Sequence, residues 1–180
     1  TRKAMKAKAL AKAQTEARAA MAKNWIAENG VLTGAADGGT IGSAKNYENF
    51  ELILDWKTEG EAAMGIRSIP QIALGGKNSG ALTGNMLHDN AAPKAAANGP
   101  QEWNTMQVKV VSDRVTVVLN GVTTAENVIL ENACNREIPA YAEGQILLIA
   151  GNAPLNVREM YIRELPATPR FELSEEEAAD

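Results

Sequence analysis

The sequence predicts an all-β fold, two antiparallel sheets packed as a jelly-roll β-sandwich behind one N-terminal α-helix, and three observations carry that prediction. Apolar residues alternate with polar ones at a period of two, most clearly Met106, Val108 and Val110 against Gln107 and Lys109, then Val115, Val117 and Leu119 against Thr116 and Asn120. Turn signals separate such runs: Ser112-Asp113 lies between these two, and Asn120-Gly121, where positive φ costs little, lets a third strand begin near Val122. Past the first two dozen residues no stretch carries a helical period, and the glycine-rich turns delimit about ten short strands, a pattern that two packed sheets accommodate. With 180 residues, 45% of them hydrophobic, the chain suits one such domain with a sizeable core and is short for two.

Residues 1–23 carry Arg2, Lys3, Lys6, Lys8, Lys12, Arg18 and Lys23 against Glu16 alone, with many alanines and neither Gly nor Pro, so helix is predicted on propensity. Its larger apolar residues, Met5, Leu10 and Met21, make a thin stripe, which fits a solvated helix better than a membrane or nucleic-acid arm. The sandwich then occupies residues 24–166. WIAENGVLTG reads as a hairpin around Asn29-Gly30, and GGTIG as a second turn-bounded piece. NFELILDWKT is the best single strand, with Phe50, Leu52, Leu54 and Trp56 on one face and Glu51, Ile53, Asp55 and Lys57 on the other. A slip of one residue would bury two carboxylates, which fixes the register. Two short strands flank Pro70, roughly Ala62 to Arg67 and Gln71 to Leu74. Residues 75–100, rich in Gly, Asn and Ala, read as a rim loop with one short strand around Ala81 to Thr83. QILLIA and LNVREMYIREL supply the last two strands, and residues 167–180 form an acidic tail, either a short helix begun by Ser174 with Glu177 or a disordered end.

The net charge of −4 argues against nucleic acid as a general partner, and no apolar run reaches the roughly 20 residues that span a bilayer. Local motifs offer little chemistry. The one histidine, His88, sits in a loop, so neither a Ser-His-Asp triad nor a multi-histidine metal site can be drawn. Cys134 is alone, ruling out an internal disulfide, and reads as a half-buried inert thiol. The glycines match no phosphate-binding or dinucleotide-binding spacing. Asp37, Asp89 and Asp113 read as turn residues, since no run of alternating carboxylates supports a cation site. No metal and no cofactor is therefore expected.

The strings NWIAENGVLTG, NYENFELILDWKTEGEAA, GPQEWNTMQVKVVSDRVTVVLNG and NVREMYIREL, in this order and spacing, resemble the 3-keto-disaccharide hydrolase domain family, from about Trp25 to Leu165. The resemblance implies a concanavalin-like jelly roll, an exported bacterial protein and a saccharide or 3-keto-glycoside ligand. It also implies a chemistry. A ketone at C3 of a sugar acidifies the C2 proton, so a base can form an enolate and expel the group at C1, after which water adds back. Such a site needs a carboxylate or His as base, a donor for the enolate oxygen and an acid for the leaving oxygen.

On matching positions the resemblance implies Asp55 or Glu61 as base, Arg67 as enolate stabiliser and Gln71 as a hydroxyl-positioning residue, with Glu51, Glu102 and Asn104 as further ligand contacts. Other roles compete. Glu51 and Asp55 can be the wet face of a strand, Arg67 can pair with Glu61 or Asp55, and Trp103 reads as a core anchor more than a sugar platform. Arg67, placed on a strand and facing ligand, would contribute little to folding. Ala73, Gly75, Gly76, Leu147, Ile149 and Ala150 stand where relatives carry polar, acidic or imidazole groups, which leaves a non-catalytic carbohydrate-binding or assembly module as the alternative. Self-association is expected through an exposed sheet edge and the oppositely charged ends.

Overall fold

The structure, a computed structural model, describes residues 7–83, 96–132 and 134–168. Helix α1, Ala7–Asn24, covers the described part of the predicted basic segment 1–23, whose first six residues lie outside the described ones, and it runs straight into β1. Its side chains are mostly exposed, and no helix among the described residues is long and apolar enough to cross a membrane.

Twelve strands follow among the described residues: β1 Trp25–Glu28, β2 Val31–Gly34, β3 Gly39–Gly42, β4 Phe50–Lys57, β5 Ala62–Gly65, β6 Gln71–Leu74, β7 Leu82–Thr83, β8 Asn104–Val111, β9 Arg114–Leu119, β10 Val122–Ile129, β11 Leu147–Ala150 and β12 Leu155–Glu164. They form a seven-stranded sheet ordered β1-β2-β12-β4-β8-β9-β10 and a five-stranded sheet ordered β3-β11-β5-β6-β7, every pairing antiparallel. The two Asn-Gly turns form as the sequence requires: φ is 51° and 76° at Asn29 and Gly30, and 48° and 81° at Asn120 and Gly121. This positive-φ pair twists a two-residue turn in the sense its strands need.

The alternation read from sequence is the alternation observed. Phe50, Leu52, Leu54 and Trp56 of β4 are buried against Met106, Val108 and Val110 of β8 and Val115, Val117 and Leu119 of β9, while Met64, Ile72, Leu74 and Leu148 close the core from the smaller sheet. The odd partners of β4, Glu51, Ile53, Asp55 and Lys57, face outward.

Four expectations need correction. Arg67 is not on a strand: β5 stops at Gly65, and Arg67 and Ser68 take positive φ of 47° and 77° in the turn before Pro70. Nor is it exposed, with 3% of its surface accessible. Trp103 is no core residue but lies half-buried on the outer surface of the large sheet, its ring covered by the Arg158 guanidinium at 3.9 Å and the Lys57 ammonium at 5.0 Å. Cys134 is exposed. His88, Asp89 and the tail from residue 169 lie outside the described residues.

Candidate functional site

The two sheets divide the residues that the sequence proposed. Glu51 and Asp55 project from the outer surface of the seven-stranded sheet. Gln71 projects from the opposite surface, outside the five-stranded one, because it alternates with the buried Ile72 and Leu74. The full thickness of the core separates them, so no small ligand touches both.

Each of the first pair is engaged. Asp55 accepts a hydrogen bond from the Thr105 hydroxyl at 2.7 Å and pairs with Arg158 at 3.2 Å. Glu51 is bracketed by Arg163 and by Lys109, the latter at 3.3 Å. The hydrogen bond from Arg163, then that from Lys109, holds the Glu51 carboxyl below the usual carboxylate range.

Arg67 sits at the end of the sandwich where β4 begins. Its Nε donates to the Glu48 carbonyl at 2.9 Å, Nη1 to the carbonyls of Ser112 at 2.6 Å and Tyr141 at 3.4 Å, and Nη2 to the Glu48 carbonyl and to Asn49 Oδ1 at 3.3 Å. Five donors in a planar fork are thereby spent on three separate loops. Burial lowers its pKa, opposed by the nearby carboxylates of Glu48 and Asp113. A cavity of about 210 Å³ adjoins it, lined also by Glu48, Ser112, Asp113 and Thr168.

The other end of the sandwich, where β4 finishes and β8 starts, gathers the remaining residues. Asn104 is buried, donates to the Glu102 carbonyl at 3.1 Å and accepts from the Asn98 amide at 2.7 Å and Asn120 Nδ2 at 2.8 Å. Glu102 accepts from the Gly99 amide at 3.1 Å. Both therefore organise the turn entering β8. Glu61 is exposed just before β5, its Cγ packed where a side chain on Gly76 would begin.

Two adjoining cavities of about 230 Å³ each open at this rim and share Thr58 and Glu59. One is lined by Lys57, Gln101, Pro154 and Asn156. The other is lined by Trp56, Gly75, Gly76, Lys77, Ser79, Asn98 and Asn104. Together they fall within the volume range of small-molecule sites. Trp56 is 1% exposed, and its indole N–H has no hydrogen-bond partner among the described residues. An orphaned buried donor is rare in folded proteins. Periodicity pointed to Trp56 only as core; Lys77, Ser79 and Asn98 belong to a loop whose composition carries no pattern, so sequence reasoning missed them.

A further cavity of about 440 Å³ lies in the loop from Leu130 to Ala140 and includes none of the candidate site residues read from the sequence. Among the described residues no group of three or more His, Cys, Asp or Glu could hold a metal ion.

The departures converge on one surface. Ala73, Leu147 and Ile149 share the outer face of the five-stranded sheet with Ala63, Gly42 and Gly65, since Ala63 pairs with both Ala73 and Ile149 and Leu147 with both glycines. Leu147 fills the space over Gly42 and Gly65, where added Cβ atoms would approach it to 3.0 and 2.9 Å. Ala150 instead faces the core. Such a floor offers neither a carboxylate nor an imidazole.

The profile of a family described as the 3-keto-alpha-glucoside-1,2-lyase-like domain matches residues 8–163. Among solved structures, two candidate glycosyl hydrolases from Parabacteroides distasonis ATCC 8503 each superpose with a TM-score of 0.62 over 80% of this chain, at 22% and 19% identity and covering 91% and 84% of their own lengths. The carbohydrate-binding module CBM66 from Bacillus subtilis superposes with a TM-score of 0.56 at 13% identity, over 78% of this chain and 91% of its own. At these identities the likeness is one of fold. No curated protein matches the chain.

Proposed function

Since the chain belongs to the 3-keto-alpha-glucoside-1,2-lyase-like domain family, a carbohydrate-related group, we propose that it is a saccharide-binding domain whose ligand seats at the rim between Trp56, Lys77 and Asn98. The carrying observation is the orphaned Trp56 N–H beside a cavity that also presents an ammonium, a hydroxyl, amides and the Glu59 carboxylate. These are the groups that recognise a hydroxyl-rich ligand. A ligand hydroxyl accepting from Trp56 would complete one of the two buried indole donors, those of Trp25 and Trp56, that have no partner among the described residues.

Hydrolysis of a glycosidic bond next to a 3-keto sugar is the second reading, favoured by two carboxylates, Glu59 and Glu61, bordering the same rim as Lys77. In it Glu59 or Glu61 takes the C2 proton and Lys77 faces the enolate oxygen, the part that Arg67 cannot leave its three carbonyls to play. One experiment addresses both. The protein is titrated with a 3-keto-disaccharide and with its parent disaccharide while the Trp56 indole resonance and free 3-keto sugar are followed by NMR. Binding predicts a shifted indole resonance, lost in Lys77→Ala, without sugar release. Release abolished by Glu61→Gln or Glu59→Gln selects the hydrolase, and an indole resonance that moves with neither sugar refutes the rim as the site.

A further inference from the structure

Strand β12 is longer than the neighbour that covers it. β2 pairs only with Leu155, Asn156 and Val157, whereas β4 follows β12 on its other side as far as Glu164. The β1-β2 hairpin, from Glu28 to Val31, shares a cavity with Arg158, Glu159 and Met160, and from Tyr161 to Glu164 no strand among the described residues occupies the side away from β4. The Leu165 amide donates to the Asn49 carbonyl at 2.9 Å, so strand alternation turns the Tyr161 and Arg163 amides toward β4 and those of Ile162 and Glu164 toward the open side. Tyr161 is 65% exposed and lies opposite Ile53, itself 44% exposed, on the outer surface. An edge with unpaired amides and apolar neighbours is a template for another strand.

We infer that the occupant is a second copy of the same edge, paired antiparallel about Tyr161 so that Glu159 of each copy faces Arg163 of the other. The sequence from 158 to 164, Arg-Glu-Met-Tyr-Ile-Arg-Glu, is complementary in charge to its own reverse. Centred on Tyr161, the pairing sets Met160 against Ile162 and Tyr161 against Tyr161. Sliding two residues either way, the smallest step that keeps the same amides facing the partner, puts Glu159 against Tyr161 or Leu165 and leaves no opposite charges matched. The irregularity between Arg158 and Tyr161, where Glu159 takes φ of 47°, and the charges themselves are devices that blunt an edge against strands in general. Here the same charges admit one partner, the edge itself. Within one molecule Arg163 meets Glu51, Glu164 meets Lys45 and Glu159 meets the Tyr161 hydroxyl, all on the exposed surface, where such contacts are weak enough to exchange.

Sedimentation equilibrium over a concentration series tests this, with thermal melts confirming that each variant folds. Wild type should dimerise, and Glu159→Arg and Arg163→Glu should each weaken dimerisation at least about tenfold by setting like charges opposite one another. Mixed in equal amounts, the two variants should recover a heterodimer, because each then faces the opposite charge. A wild type monomeric into the millimolar range overturns the inference. So does a dimer unchanged by both single variants, which would place the contact on another surface, or a mixture that fails to restore it.

Discussion

Replacing Arg67 by alanine should destabilise the fold severely. The guanidinium joins the chain before β4 at Glu48, the β8-β9 turn at Ser112 and the loop carrying Tyr141. The side chain of Asn49 stitches the same place, accepting from the Ser112 amide at 2.8 Å and donating to the Pro166 carbonyl at 2.7 Å. Hydrogen bonds to a charged donor are worth roughly 1.5–3 kcal/mol each, and their loss leaves buried carbonyls without a donor. The Tyr141 contact is long, and water in the adjoining cavity can recover part of the loss, so two strong acceptors set the scale at about 3–5 kcal/mol. For a chain of this length that corresponds to a fall in Tm of about 10 °C. Urea unfolding of wild type, Arg67→Ala and Arg67→Lys measures it. The lysine variant should recover less than half of the difference, since a single ammonium cannot span three carbonyls. A midpoint shift worth less than about 1 kcal/mol in Arg67→Ala, with m unchanged, would refute the reasoning and return Arg67 to the ligand-facing role that the family resemblance implied.

Three more outcomes are expected. Gly151→Ala should cost about 2 kcal/mol or more in the same unfolding assay, because the new Cβ would lie 1.9 Å from the Glu61 carbonyl oxygen, a rigid backbone atom. Glu51 has a depressed folded pKa, so its interactions stabilise the fold above the unfolded value of about 4.3 and are lost as pH falls through the folded one. An NMR titration should therefore place its midpoint below about 4.3, with Arg163→Ala moving it upward, and a wild-type midpoint at or above that value would contradict the assignment. Saccharide binding at the rim should survive EDTA, and loss that calcium restores would show that a cation completes the site.

The sequence by itself determined the strands, their faces and their turns. Period-two alternation from Phe50 to Trp56 and from Met106 to Leu119 is a local consequence of burying one side of a pleated strand, and Asn-Gly turns are local consequences of positive φ. Glu51 and Asp55 were legible as outward-facing for the same reason. What only the tertiary structure decided is which surfaces belong together. Glu51, Asp55 and Gln71 each face outward on their own strands, but their sheets stack back to back, so residues that read as one site lie on opposite sides of the molecule. Arg67 shows the limit most plainly. A lone arginine between Ile66 and Ser68 carries no periodic signal, and its burial depends on carbonyls 19, 45 and 74 residues away. Those carbonyls meet only when both sheets and their loops have closed, which no local pattern encodes.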